Sequence, residues 1–215
     1  MTRQQTSIRG IRLTDRDRRT LRAIAEQGAT YSTTVGEMLA IYGGRESIGE
    51  RATRAVVGRW KLLGLVNVER VFSADPSVVY PTVAGGAFAG VPCNGNLPSV
   101  TSLRHTLLAA AVRPFYERRG LEFIPERFIT EEGHRPDGIA TDVAHGLRAC
   151  VEIELTQKSR DRLDAILRNT TARFDRVIYW AETDIGERVL AIAEQSLTAE
   201  AASKVRVQRL PEVRR

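Results

Sequence analysis

The sequence has few cysteines, few lysines and no long apolar segment, and each shortage excludes a class of protein. Its 215 residues contain two cysteines, Cys93 and Cys150. Their wide separation excludes a disulfide framework and a zinc site built on paired cysteines. No apolar run approaches the roughly 20 residues that span a bilayer, and the polar start MTRQQTSIRG is not typical of a signal peptide. We therefore expect a cytoplasmic protein without a membrane partner.

Basic residues outnumber acidic ones, and arginine supplies most of them. Lys and Arg total 32 against 26 Asp and Glu, a formal net charge of +6. The lysines are Lys61, Lys158 and Lys204. A cationic surface favours a polyanionic partner, and the planar guanidinium suits phosphates and base edges. A coding sequence rich in G and C would also produce arginine, so the composition alone does not decide between the two explanations.

Residues 1–86 predict a first domain of three short helices followed by two strands. The first helix starts at the capping residue Thr14 and ends at Gly28, and the third begins near Ser47. Two β-rich runs follow, residues 65–72 and 78–83, joined by a turn-forming segment. In the third helix we predict one apolar stripe, made of Ile48, Ala52, Ala55, Val56 and Leu63.

This order of elements resembles a winged helix-turn-helix domain, as do the segments KLLGLV and VVYPTVAGG. In such domains the third helix enters the major groove of double-stranded DNA, and the wing contacts the backbone or minor groove. The resemblance implies that Arg51 and Arg54 contact base edges or phosphates. It also implies DNA binding by Arg45, and steering or anchoring by Arg59, Lys61 and Arg70. A merely solvated basic face, or a protein-interaction module of the same fold, is the alternative.

Residues 87–98 predict a linker, because they are rich in Gly, Pro and Asn and show no sustained period. Residues 99–215 predict a second domain that opens with a long helix closing at Gly120. Three strands, a helix, a strand, a helix and a last strand follow. This order predicts an α/β domain with a mixed sheet, so the expected fold class of the whole chain is α+β.

The segment HRPDGIATDVAHGLRACVEIELTQKS, residues 134–159, contains three carboxylates that could form one site. Glu152 and Glu154 share a face of the predicted third strand because strand side chains alternate. Asp137 lies 15 residues upstream, where the end of a neighbouring predicted strand would bring it beside Glu152. Hard oxygen ligands suit Mg²⁺, and a metal there could activate water and stabilise a phosphoryl transition state. A strand with one wet face is the alternative explanation.

The same segment resembles the PD-(D/E)xK nuclease superfamily. Pro136-Asp137 matches the PD, Glu152 matches the acidic position, and Glu154 stands where a lysine is expected. Lys158 follows four residues later, about 13 Å away if the strand continues. Only a turn of the chain at Thr156 would return Lys158 to the site as a catalytic group.

A winged helix, a His on a long helix, RPDG, and ExELT followed by a Ser/Arg-rich helix together resemble the replication-relaxation family of actinobacterial plasmids and phages. The resemblance implies a DNA-binding protein of a mobile element that represses transcription or controls replication, and that needs no cofactor to bind DNA. Its inactive nuclease-like domain would aid DNA binding or form a homodimer. The alternative is a Mg-dependent endonuclease or nickase, with Asp137, Glu152 and Glu154 as metal ligands and Lys158 as a catalytic group.

Overall fold

The structure is a computed structural model that describes residues 6–8 and 10–213, and it divides the chain into two compact units. Unit 1 extends to Pro114 and includes the residues from Glu212 onward, whereas unit 2 covers Phe115–Pro211. The division lies within a helix, after the segment 87–98 that the sequence predicts as a linker. The boundary expected from composition therefore differs from the boundary between the two compact units.

Unit 1 is built from short helices and two small antiparallel sheets. Its strands are β1 (Thr6–Ile8), β2 (Ile11–Leu13), β3 (Thr30–Tyr31), β4 (Val66–Glu69) and β5 (Val78–Pro81). Its helices are α1 (Asp15–Gln27), α2 (Ser32–Tyr42), α3 (Glu50–Leu62), α4 (Val83–Ala89) and most of α5 (Val100–Glu117). Strand β1 pairs with β2, and β5 lies between β3 and β4 in the other sheet.

Helix α1 begins and ends where the sequence predicts. The Thr14 hydroxyl accepts a hydrogen bond from Asp17 N at 3.2 Å, and Asp17 Oδ2 accepts one from Thr14 N at 2.8 Å. These reciprocal bonds form a capping box that satisfies two amide groups at the start of the helix. Gly28 ends the helix with φ of 89°, a conformation that glycine adopts without strain. Local capping chemistry therefore sets both ends of α1.

Helix α3 and its end bury Val56 and Leu63 of the predicted stripe, but not its two alanines. Val56, Val57 and Trp60 point into the core of unit 1, while Ala52 and Ala55 are exposed. The prediction for the two alanines was wrong because the larger side chains remove more apolar area from water and set the rotation of the helix. The helix also begins three residues later than expected, since Gly49 is its N-terminal cap.

Helix α4 occupies a stretch that the sequence predicts as a strand end and a linker. The Thr82 hydroxyl accepts a hydrogen bond from Gly85 N at 2.9 Å and caps the helix. A Cβ added to Gly85 would lie 1.8 Å from the carbonyl oxygen of Leu65, so only glycine fits there. The glycines of this segment therefore allow close packing of a helix, whereas glycine-rich sequence usually indicates a loop.

Unit 2 contains one five-stranded mixed sheet. Its strands are β6 (Glu122–Pro125), β7 (Gly138–Asp142), β8 (Leu147–Glu154), β9 (Arg176–Ala181) and β10 (Val205–Arg209). Its helices are the end of α5, a 3-10 turn (Glu126–Phe128), α6 (Arg160–Arg173), α7 (Thr183–Ser196) and α8 (Ala199–Ser203). The strand order is β10-β9-β8-β7-β6, with β6, β7 and β8 antiparallel and β8, β9 and β10 parallel.

The chain therefore has the predicted α+β class and the predicted mixed sheet. Strand β8 lies at the centre of that sheet, and α6 connects it to the parallel strand β9. Side chains from α6 and α7, including Leu167 and Val189, form a buried cluster with Val177 and Tyr179 of β9. The single helix predicted after β9 is divided into α7 and α8. In the described part of the chain, no helix has the length and apolar character needed to cross a membrane.

The two glycines Gly85 and Gly58 should respond in opposite directions to alanine substitution. We expect Gly85→Ala to lower the free energy of unfolding by roughly 1–3 kcal/mol, because its Cβ would overlap the main chain of Leu65. Gly58→Ala should raise it by about 0.5–1 kcal/mol, because Gly58 lies within α3 and an added Cβ meets no atom within 4 Å. Urea unfolding of both variants measures this, and equal stabilities would contradict the packing of α4.

Candidate functional site

The exposed side of α3 carries the basic residues expected there. Arg51, Arg54 and Lys61 are exposed, and Arg54 forms an ion pair with Glu50 one turn earlier. The small residues Ala52 and Ala55 are exposed between them. We call these five exposed residues the α3 face, namely Arg51, Ala52, Arg54, Ala55 and Lys61. Because Ala52 and Ala55 are small, another surface could approach the helix backbone closely beside them, while the exposed Leu62 lies one heptad after Ala55 at the end of the helix.

The other basic residues expected to bind DNA fall into two groups. Arg45 is exposed in the segment between α2 and α3, and Arg70 is exposed directly after β4. Arg59 differs, because its guanidinium lies 3.7 Å from Asp17 Oδ1, and the Asp17 side chain is fully buried. A buried carboxylate needs compensating positive charge. Arg59 therefore has a structural partner inside unit 1, which Arg45 and Arg70 do not share.

The structure brings Asp137 to the carboxyl end of β8, beside Glu152, as the sequence predicts. Strands β7 and β8 pair with Gly138 opposite Val151, so Asp137 lies just beyond that pair. Its Oδ2 accepts a hydrogen bond of 2.6 Å from the main-chain N–H of Ile153. Glu152 and Glu154 flank Ile153 on the strand. We call Asp137, Glu152 and Glu154 the carboxylate cluster.

Both glutamates of the carboxylate cluster are buried and each has an internal partner. The side chains of Glu152 and Glu154 are only 5% and 4% exposed. Glu152 Oε1 lies 2.8 Å from His134 Nε2 and 3.5 Å from Cys150 Sγ. Glu154 Oε2 accepts a hydrogen bond from Lys158 Nζ. Cationic or proton-donating groups of the chain itself therefore face these carboxylates.

Lys158 reaches the carboxylate cluster because the chain turns after β8. The strand ends at Glu154, and α6 begins only at Arg160. Arg188 of α7 donates to the Lys158 carbonyl oxygen at 3.3 Å and to the Gln157 side chain at 3.4 Å. These contacts hold the connecting segment. The chain thus makes the turn that a catalytic role of Lys158 requires.

The segment that carries His134 is clamped by the end of α6 and by β8. His134 N donates to Asn169 Oδ1 at 3.3 Å, and Arg173 donates to the His134 carbonyl oxygen at 2.8 Å. Arg173 also donates to Glu131 at 2.9 Å, and Arg148 of β8 forms a second ion pair with Glu131. Sequence reasoning missed this network because its members are far apart along the chain.

Tyr179 is a further polar group at this site that the sequence analysis missed. It pairs with Glu152 across the parallel strands β8 and β9, and its side chain is fully buried. Within the described residues its hydroxyl has no hydrogen-bond partner. Burial raises the pKa of Tyr179, and the negative charges of Glu152 and Glu154 raise it further. The sequence signal that could have identified Tyr179 is a tyrosine within a mostly apolar strand, RVIYWA.

The electrostatics of the cluster follow from burial. Removal from water raises the pKa of Glu152, and the neighbouring Asp137 adds to that effect, whereas His134 opposes it. The hydrogen bond to Glu152 raises the pKa of His134. Burial also raises the pKa of the Cys150 thiol well above its usual range, so it remains protonated. Cys150 is therefore suited to packing and weak donation, and unsuited to nucleophilic attack.

The carboxylate cluster has the right ligand chemistry for Mg²⁺ but not the arrangement. Carboxylate oxygens are ligands that Mg²⁺ prefers. Asp137 Oδ2, however, is bonded to Ile153 N, Glu152 to His134 and Glu154 to Lys158. Among the described residues, no group of three or more His, Cys, Asp or Glu side chains is placed to hold one metal ion. Each carboxylate is thus engaged by a group of the chain itself, and a metal ion would have to replace those partners.

Comparison of the chain with models of protein families, with curated proteins and with solved structures found no match.

His134 should titrate at a higher pH in the native chain than in Glu152→Gln, which removes the charge that stabilises the imidazolium. Because its folded pKa is raised above the usual 6.5, the stability from protonated His134 is fully present below that pH and is lost as pH rises through the raised pKa. NMR titration of the imidazole measures this. Asp161→Asn, an equal charge change at an exposed residue of α6, is the control. Equal titration midpoints in the native chain and Glu152→Gln would contradict the pairing.

Proposed function

We propose that this chain binds double-stranded DNA through the α3 face, and that unit 1 is a winged helix-turn-helix domain. The observation that carries the proposal is the α3 face itself. Two arginines and a lysine are exposed there around small side chains, on the third of three consecutive helices that precede the β4–β5 hairpin. Arginine suits phosphates and guanine edges, and small side chains let a helix lie deep in a groove.

The flanking residues support the same orientation of a bound duplex. Arg45 precedes α3 and Arg70 follows β4, and both are exposed. In a winged helix the corresponding segments lie on the two sides of the recognition helix, where they meet phosphates. Phosphate contacts of this kind would position the protein, while Arg51 and Arg54 would contact base edges or phosphates. The overall charge of +6 favours association with a polyanion.

Unit 2 is proposed to be a nuclease-like domain that adds DNA backbone contacts or forms a homodimer. In support, a helix is followed by three antiparallel strands, a crossover helix and a parallel strand. This is the order of the PD-(D/E)xK core that the motif PD and the residue Glu152 resemble. Together the two units suit a regulator of transcription, including a repressor, or of replication in a mobile element. The positions of DNA fragments selected by the protein would separate the two roles.

Removal of two arginines from the α3 face should weaken DNA binding. We expect Arg51→Ala with Arg54→Ala to lower the affinity for duplex DNA at least about tenfold, and to lower the slope of its salt dependence by about 1–2. Electrophoretic mobility shifts over a salt series measure both quantities. Arg19→Ala with Arg22→Ala, which removes equal charge from exposed positions of α1, is the control. If the α3 variant retained native affinity, DNA binding through α3 would be wrong.

A second candidate function is DNA cleavage by the carboxylate cluster, and the return of Lys158 to Glu154 favours it. A lysine next to acidic residues is what the nuclease resemblance requires. The bond between Glu152 and His134 opposes cleavage, because it satisfies that carboxylate without a metal. The two functions make different use of unit 2. DNA binding requires only that unit 2 is folded, whereas cleavage requires the side chains of the carboxylate cluster.

Incubation with supercoiled plasmid and Mg²⁺ or Mn²⁺ tests the second candidate. If the cluster is catalytic, the native chain should nick the plasmid, and Asp137→Ala and Glu152→Ala should each lower the rate by about 100-fold or more. Arg176→Ala is the control, since its side chain lies on the exposed end of β9. Plasmid that stays intact with either metal would exclude cleavage and leave the DNA-binding proposal standing.

A further inference from the structure

The loop between β4 and β5, residues 70–77, is anchored to the body of unit 1. We call it the β4–β5 loop. Its end is held by the main chain, since Ser77 O accepts a hydrogen bond of 2.8 Å from Ser32 N at the start of α2. Its beginning is held by packing, since Val71 and Phe72 lie against a buried cluster. That cluster includes Tyr31, Tyr80, Leu103 and Leu107.

The middle of the β4–β5 loop is held by one side-chain hydrogen bond. The hydroxyl of Tyr31 donates to Asp75 Oδ2 at 2.8 Å. Tyr31 belongs to β3, where it pairs with Val78 at the start of β5. The anchoring strand and the strand that ends the loop are thus direct neighbours in the sheet. Pro76, next to Asp75, is buried.

The Tyr31 hydroxyl stays protonated and can therefore donate this bond. Its side chain is almost completely buried, with 2% exposed. Burial and the bond to Asp75 both raise its pKa, although the charge of Arg104 acts in the other direction. The phenol therefore keeps its proton throughout the neutral range. The bond to Asp75 persists wherever the carboxylate is ionised.

The anchored loop leaves a defined set of groups exposed. Arg70, Ser73 and Ala74 are exposed, whereas Asp75 is half-buried with its carboxylate on Tyr31. A positive side chain and a small neutral tip therefore face solvent. The negative charge of the loop is turned toward the sheet.

We propose that Tyr31 is a positioning residue for DNA binding, which holds the β4–β5 loop through Asp75 so that Arg70 and the loop tip meet the phosphate backbone already ordered. This inference rests on the proposed function. It assigns a role to a buried residue that does not itself contact DNA.

Two physical effects make the tether favourable for binding. A loop that is ordered in the free protein loses less conformational freedom on association, so more of the contact energy of Arg70 appears as affinity. The tether also withdraws the Asp75 carboxylate from a surface that would face phosphates, where a like charge opposes binding. Loss of the hydroxyl would release both the loop and the carboxylate.

Substitution at the tether should lower affinity without loss of the fold. We expect Tyr31→Phe to weaken binding of the full chain to a mixed-sequence DNA duplex by roughly two- to tenfold, the worth of one hydrogen bond. Asp75→Ala releases the loop but also removes the carboxylate, so it should weaken binding less than Tyr31→Phe does. Asp75→Asn keeps an oxygen acceptor for the hydroxyl and should retain at least native affinity. Tyr116→Phe, which removes the hydroxyl of a buried tyrosine bonded to Trp180 in unit 2, is the control for stability loss alone.

A double-mutant cycle tests whether Tyr31 acts through the loop. Tyr31→Phe should cost clearly less affinity in a chain that already carries Arg70→Ala than in the native chain, because the contact that it positions is gone and only the released Asp75 carboxylate remains. The same Tyr31→Phe combined with Arg51→Ala should show additive losses, since α3 is positioned independently. Additive losses with Arg70→Ala, or native affinity in Tyr31→Phe, would overturn the inference.

The outcomes separate this inference from the proposed function. If the native chain binds the duplex and the α3 variant does not, DNA binding stands whatever the result at Tyr31. If Arg70→Ala binds as the native chain does, the loop is not a DNA contact and the role of Tyr31 is refuted alone. If the native chain binds no duplex at all, both proposals fail together.

Discussion

The burial of two carboxylates on one central strand is the constraint on which unit 2 depends. A buried charge is costly unless a partner compensates it, so Glu152 and Glu154 require groups from elsewhere in the chain. His134 and Lys158 meet that requirement. The two connections that carry these residues, before β7 and after β8, must therefore bring them to the two glutamates. The clamp on His134 formed by α6 is a further consequence of the same requirement.

Unit 1 meets the same problem at Asp17, and the solution there separates two kinds of arginine. Asp17 is fully buried because it caps α1, and Arg16 and Arg59 lie within 4 Å of its carboxylate. Arg51 and Arg54 have no such interior partner and remain at the surface. Counting basic residues along α3 cannot distinguish these groups. Burial of the acidic partner distinguishes them. The residues of the α3 face are therefore the ones proposed to bind DNA.

Local rules predicted most elements of the fold, although not β1, β2, β3 or α4, and long-range packing accounts for the errors in burial. Alternation along β8 correctly placed Glu152 and Glu154 on one face, and the order of strands correctly brought Asp137 beside them. Ala52 was wrongly assigned to the core because helical periodicity alone does not say which of several apolar stripes is buried. The partnership of Tyr179 with Glu152 depends on a parallel strand pairing across α6, which no spacing in the sequence reveals.

In the described part of the chain, the hydroxyl of Tyr179 has no hydrogen-bond partner, and this affects which substitutions the position tolerates. A buried hydroxyl without a hydrogen bond costs about 1–3 kcal/mol, while its ring packs as a phenylalanine ring would. Folding alone therefore gives no reason to keep tyrosine over phenylalanine, which differs by one oxygen atom. Within the described residues, the sheet thus carries a polar oxygen atom beside buried acidic groups at a cost to its own stability.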